Sequence, residues 1–240
     1  MRGMEKVTSI LKVSEQGVSR PYLCKDAMGR VRWCKGNHTG LCSVISEWIC
    51  ARLARRLGLP VPDFSIMKLD FALFADWRRG RGVVPEIVTE SNQYVFASLN
   101  VEECKDVLKP ASELAHIDGP LLAKIYLFDR IIRNTDRTDY NSNLLVNGKV
   151  YIIDHNNAFD PDFSEETFSG EHILRGYRDL ISDEEKSAFV RSAAELCGGT
   201  FIDEVWGEMP EEWTDAGSVV LPLSSIRKVL EEATNGGNVL

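Results

Sequence analysis

Residues 134–159, NTDRTDYNSNLLVNGKVYIIDHNNAF, carry the side chains of this chain best suited to chemistry. Asp136 is followed five residues later by Asn141, and Asp154 ends the β-rich apolar run Tyr151-Ile152-Ile153. Between them, Leu144 and Leu145 and then Ile152 and Ile153 flank Asn147-Gly148, the strongest short-range turn signal a sequence offers. Two strands are expected to fold back there and bring Asp154 beside Asn141. Carboxylate and amide oxygens are hard ligands, the kind a magnesium ion on a nucleotide takes when the protein coordinates it incompletely. Asp and Asn also furnish turns, and each residue alone reads that way. The ordered set around a hairpin argues for a site.

Other residues must complete such a site. The strand ILKV, the bend SEQGVSRP and the strand YLCK form a hairpin in which backbone N–H groups near Gly17 and Ser19 can face phosphate oxygens. The bend matches neither GxGxxG nor GxxxxGK[ST], and any β-hairpin needs a bend. Lys35 ends the strand VRWCK and Glu47 lies on the helix that follows, an arrangement that puts an ammonium on phosphates with a carboxylate behind it. The competing reading is a solvated lysine at a strand end and a surface glutamate.

Composition bounds the possibilities. A chain of 240 residues with 44% apolar and 27% charged residues is ordinary for a soluble protein of one large domain or two small lobes. A net charge of -8 argues against nonspecific nucleic-acid binding, although Arg78, Arg79 and Arg81, and Arg130, Arg133 and Arg137, leave room for a local basic groove. No stretch approaches the roughly 20 apolar residues of a membrane span, and MRGMEKVTSI lacks a signal core, so a cytoplasmic protein is expected. The six cysteines contain no CxxC pair and read as reduced, mostly buried thiols; a zinc site from Cys24, Cys34, Cys42 and Cys50 lacks paired spacing. The four histidines form no HExxH; His155 follows Asp154 and either lines the site or has a solvent-facing or capping role.

Short β-compatible runs cover 6–13, 20–25 and 30–35, and a helix with apolar spacing covers 41–57 up to Gly58. A loop then enters a strand through Pro60 and Pro62, residues 76–82 form a polar loop or hairpin tip, and 94–98 is a further strand. Helices dominate beyond it: one after Asp118 as cap and Pro120 in its first turn, then segments at 183–197, 200–208 and 222–234, the first opened by a capping box from Ser182 to Glu185. The last residues, NGGNVL, read as frayed. The expected class is α+β with segregated elements, a β-rich lobe over 1–98 and a helical lobe over 99–240, hinged near residue 99.

These parts resemble HipA-like kinases. GVSRP at 17–21, WCK at 33–35, SEWICARLARRLGLPVP at 46–62, the catalytic run and the IID strand carry the resemblance over most of the chain, and IIRNTDR with IIDHNNAF is also similar to type II phosphatidylinositol 4-kinases. The resemblance implies a bilobal protein-kinase-like fold in which ATP lies between the lobes. It implies Asp136 as catalytic acid, Asn141 and Asp154 as magnesium ligands, Lys35 as phosphate-binding lysine with Glu47 as its partner, and Phe96 to Ser98 as the adenine-facing hinge. NTD stands where protein kinases have HRD, IDH where they have DFG, and no APE segment follows, which puts conventional activation-loop regulation in doubt. The chain looks too short for the extra amino-terminal subdomain of longer HipA toxins.

The expected activity is transfer of the γ-phosphate of ATP to a protein Ser or Thr. A phosphoinositide or small-molecule kinase needs the same centre, but no basic amphipathic membrane helix favours the lipid. A pseudokinase that binds nucleotide without turnover is the alternative from another class. Ser14 and Ser19 flank the phosphate bend, where phosphorylation would repel ATP.

Overall fold

VTSILKV, YLCKD and VRWCK are short runs with β-branched or aromatic residues, and alternate positions, Tyr22, Cys24 and Asp26 in the second and Arg32 and Cys34 in the third, turn to one covered face of a sheet. They form β1 (Val7–Val13), β2 (Tyr22–Asp26) and β3 (Val31–Lys35) of a computed structural model. The structure describes residues 5–14, 20–36, 39–70, 72–73, 94–214 and 221–235. Gly17 and Ser19 of the expected phosphate bend, His38, the 76–82 loop with Arg78, Arg79 and Arg81, and tail residues 236–240 lie outside the described residues.

Antiparallel pairing adds β4 (Phe64–Lys68) and β5 (Tyr94–Leu99) in the order β1-β2-β3-β5-β4. Val7, Tyr22, Cys24, Cys34, Met67, Val95 and Ala97 pack as the core of this sheet. Asp26 shapes the β2–β3 turn: its Oδ1 accepts from the Met28 and Arg30 amides, and its Oδ2 from Nε of Arg30 (2.7 Å) and of Arg32 (2.9 Å). Burial would push this carboxyl up, but the hydrogen bonds from Arg32, Arg30 and the turn amides outweigh it and hold it at about 2. Gly29 takes the left-handed φ of +76° that the turn requires.

The helices are α1 (Leu41–Arg56), α2 (Pro110–Glu113), α3 (Gly119–Ile131), α4 (Glu165–Glu171), α5 (Asp183–Gly198), α6 (Phe201–Gly207), α7 (Glu211–Thr214) and α8 (Leu223–Asn235). Where α1 ends, Gly58 at φ +76° donates to the Arg55 carbonyl and Leu59 to the Ala54 carbonyl, so the paired bonds satisfy two terminal acceptors. Its residues from Ser43 to Ala51 are buried all round, not along one stripe.

The chain divides into two compact units, Met1–Ile45 with Pro62–Asn100 and Met209–Val220, and Ser46–Val61 with Val101–Glu208 and Leu221–Leu240. In the first, the Tyr94 amide donates to the Glu212 carboxylate at 3.1 Å. In the second, β7 (Leu144–Val146) and β8 (Val150–Ile152) form the expected hairpin in register Leu144↔Ile152, with Gly148 at φ +87° in its turn. The two-residue β6 (Lys105–Asp106) adds a third antiparallel strand to β7. Asp118 caps α3 through the Leu121 amide, and the Ser182–Glu185 box caps α5 as its sequence implies. α5 packs on α8, and α3 on both. Leu122, Ile125, Phe128, Leu144, Ile152 and Leu230 are among the buried apolar residues of this unit's core. Among the described residues no helix is long and apolar enough to cross a membrane.

Candidate active site

Asp129 anchors the site. It lies on α3 between Ile125 and Ile132, is fully buried, and is the end point of four hydrogen bonds. Oδ1 accepts from Asn134 Nδ2 (2.9 Å) and Arg137 Nη2 (3.4 Å), and Oδ2 from Arg137 Nε (2.6 Å) and His172 Nε2 (3.1 Å). His172 Nδ1 accepts from the Leu174 amide, so its Nε2 carries the proton it gives to Asp129. Burial alone would push the Asp129 carboxyl up; the Arg137 guanidinium and the His172 hydrogen bond reverse this and hold it well below the usual carboxylate range. Burial pushes His172 down, with Asp129 opposing and the charges of Arg137 and Arg175 adding to the shift.

The loop after α3 hangs from this anchor. Asn134 Oδ1 accepts from the Asp136 amide at 3.4 Å, and Asp136 stands half-buried at the loop's edge. Thr138 and Asn141 close a tight turn by reciprocal backbone bonds of 2.9 and 3.2 Å. Asp139 pairs with Arg175 at the surface, and Tyr140 is 101% exposed. Asn141 is exposed and its backbone closes the turn. Asn143, immediately before β7, turns its side-chain Nδ2 to the Asp136 carbonyl and Oδ2, each at 3.3 Å.

The hairpin then brings in Asp154. The Ile153 amide donates to the Asn143 carbonyl at 3.1 Å, so Asp154 follows directly on a residue bonded to Asn143. Asn143 and Asp154 have φ of +47° and +57°, a left-handed conformation that Asn and Asp tolerate but that other contacts must hold. Asp136 and Asp154 are thus linked through Asn143. The next residue, His155, is buried; its amide donates to Glu47 Oε2 at 3.1 Å, with Nδ1 3.6 Å from the same oxygen.

Glu47 belongs to the second unit and Lys35 to the first. Lys35 is buried on β3 opposite Phe96 of β5, and Phe96 packs on Phe64 with ring centroids 5.8 Å apart. Phe96 and Ser98 sit on a strand paired on both sides, by β3 and β4, so the ladder takes their backbone groups. The arginines in the last turn of α3 and in the loop beyond it form no open groove: Arg130 pairs with Glu165, Arg133 with Glu232, and Arg137 is buried.

A family model described as HipA-like kinase matches residues 7–236. The chain belongs to the HipA-like kinase family. The activity class that follows is a kinase-type phosphotransferase. Solved structures similar to this HipA-like kinase include a Golgi casein kinase with Mn/ADP bound, 11% identical, covering 97% of this chain and 72% of that one at a TM-score of 0.53. A second structure of the Golgi casein kinase gives 0.54. The Helicobacter pylori proinflammatory kinase CtkA, also 11% identical, covers 96% of this chain and 93% of its own at 0.50. These likenesses establish a protein-kinase-like fold. Among curated proteins no match was found.

Sequence reasoning did not single out Asp129, Asn134 or His172, and it left Arg137 and Asn143 without a role. A signal existed for Asp129: a carboxylate on an otherwise apolar helix face demands a buried partner.

Proposed function

We propose that this HipA-like kinase transfers the γ-phosphate of ATP to the hydroxyl of a protein serine or threonine. The observation that carries this reading is the linkage of Asp136 to the Asp154 segment through Asn143. Asp136 takes the proton of the acceptor hydroxyl as its oxygen bonds to the γ-phosphorus and the bond to the β,γ-bridging oxygen breaks, releasing ADP. Lys35 is the proposed phosphate-binding lysine.

The donor set fits a nucleotide-borne divalent cation. Among the described residues no group of three or more His, Cys, Asp and Glu could hold a metal. Magnesium needs only one or two carboxylates besides substrate phosphates, which suits a sparse oxygen set. Asp154 would hold it together with an amide oxygen from Asn141 or Asn143, and Asn143 has the stronger geometric claim because it touches Asp136 and pairs with the residue before Asp154. A cation held by these residues would neutralise the charge that develops on the phosphates during transfer. Mn and ADP in the Golgi casein kinase structure support nucleotide and metal use here. From Phe96 and Ser98, an adenine contact would run through side chains. All six cysteines are free, which supports a reducing compartment such as the cytoplasm.

The test is magnesium-dependent transfer of labelled γ-phosphate to the protein itself and to lysate proteins, wild type against Asp136→Asn. Label on protein that depends on Asp136 is the expected result. ATP binding without label on any protein would redirect the acceptor to a lipid or small alcohol, or mark a pseudokinase.

A further inference from the structure

The residues that follow the two candidate carboxylates, Arg137 after Asp136 and His155 after Asp154, are both buried and face each other, Arg137 Nη2 lying 3.5 Å from His155 Nε2. A catalytic-loop arginine at the surface would read as a phosphate ligand. Arg137 has no exposed side-chain area, so it cannot reach one.

We propose that Arg137 is the positioning residue of this site, its guanidinium setting the relative placement of Asp136, Asn143 and Asp154 without touching the nucleotide. The proposal rests on the phosphotransfer reading above and assigns a role within that same site. The guanidinium divides its donors between a carboxylate and a set of backbone carbonyls. One edge grips Asp129 through Nε and Nη2, which ties it to α3. The other, Nη1, donates to the carbonyls of Ser142 (3.4 Å), Asn143 and Ile153 (3.4 Å). Those carbonyls belong to the residue before Asn143, to Asn143 itself and to the residue before Asp154. Arg137 is also covalently next to Asp136, so one residue is tied to all three candidate positions: by the chain to Asp136, and through Nη1 to the Asn143 carbonyl and to the Ile153 carbonyl of the peptide that leads into Asp154.

The strain at these positions needs such a group. Asn143 and Asp154 both hold positive φ, a conformation that persists only where the surroundings over-determine it. The fork of a guanidinium can serve carboxylate and carbonyls at once, whereas a lysine ammonium is a point charge on a flexible stem. His155 closes the chain from the other side, with Glu47 accepting its amide. A loss at Arg137 therefore loosens the metal-holding residues while leaving the carboxylate of Asp136 chemically intact.

The experiment compares wild type with Arg137→Lys, which keeps the charge facing Asp129. Two readouts are taken: ADP binding by calorimetry with and without manganese, and initial phosphotransfer rates as magnesium and ATP are varied. Expected are a manganese-dependent gain in ADP affinity reduced by about 10-fold or more, a kcat lower by roughly 10²-fold, and a KM for ATP at saturating metal that is little changed. ADP binding without metal is expected to be unaltered. Should Arg137→Lys not fold, the neutral pair Asp129→Asn/Arg137→Gln, which removes both charges of this ion pair together, takes its place with the same readouts. A folded variant with wild-type metal-dependent ADP binding overturns the positioning role whatever its turnover. A wild type that binds ADP with metal yet transfers phosphate to nothing overturns the phosphotransfer reading alone, and the binding comparison still decides the role of Arg137.

Discussion

Asp129→Asn removes one charge and almost no volume, and its effect follows from the four donors that converge on the carboxylate. An amide keeps one acceptor oxygen and turns an NH2 group toward donors from Arg137 and His172 or from Asn134 and Arg137. Arg137 meanwhile loses the counter-charge to a guanidinium with no exposed area. Breaking a buried pair from one side costs about 3–5 kcal/mol. For a chain of this size each kcal/mol lowers the midpoint by roughly 2–4 °C, so a fall of roughly 6–20 °C is expected. The assay is urea and thermal unfolding monitored by tryptophan fluorescence, with Asp179→Asn as the control, because Asp179 also faces two cations, Arg178 and Lys186, but is 72% exposed. The wild-type advantage should also carry a pH signature. The folded carboxyl lies below its unfolded value of 3.8, so its contribution is complete above that value and is lost as pH falls through the depressed folded one. Asp129→Asn behaving like Asp179→Asn at neutral pH would refute the view that a buried ion pair anchors the loop.

Four further outcomes are expected. Asn143→Ala should weaken metal-dependent nucleotide binding more than Asn141→Ala, since Asn143 touches Asp136 while Asn141 is exposed; calorimetric titration of ADP with manganese compares them, and a larger loss at Asn141 would return the ligand to the five-residue spacing. Gly148→Ala should destabilise by about 1–2 kcal/mol, because the open space around it does not relieve the strain of a side chain at φ +87°; equilibrium denaturation gives the value, and an unchanged midpoint would count against the turn geometry. His172 is pushed below its unfolded 6.5 by burial, so its share of stability is complete above 6.5 and is lost as pH falls below it; His172→Gln should flatten that part of the pH–stability curve, and parallel curves would contradict the assignment. Tyr140→Ala should leave the unfolding midpoint unchanged while raising KM for a protein acceptor and not for ATP, as expected of a fully exposed ring on the loop of Asp136; steady-state kinetics with each substrate varied separates the two.

The parts of the fold that were legible are those whose cause is local. The β7–β8 hairpin follows from Asn147-Gly148 between apolar pairs, the start of α3 from Asp118 and Pro120, and the start of α5 from Ser182 and Glu185, each a matter of a few neighbouring residues. What escaped has causes distant in sequence. β6 is two exposed residues that become a strand only because β7 lies beside them, and α4 is a short helix with Gly170 inside it, whose buried Phe168 packs on Tyr126 of α3 at 5.1 Å between ring centroids. The site divides in the same way. The order Asp136, amide, hairpin, Asp154 is visible along the chain, but a spacing rule counts residues and does not show that the Thr138–Asn141 turn closes on itself or that Asn143, at the mouth of β7, is the amide in contact with Asp136. Likewise Arg130, Arg133 and Arg137 look like one basic cluster in sequence, yet they pair with Glu165, Glu232 and Asp129. Helix α3 and the loop after it point these three side chains in different directions, and only the one facing Asp129 is carried into the interior. A charge buried that deeply, with each end of its guanidinium committed, serves geometry and not recognition, which is why the residue beside the proposed catalytic acid is better read as a brace than as a phosphate ligand.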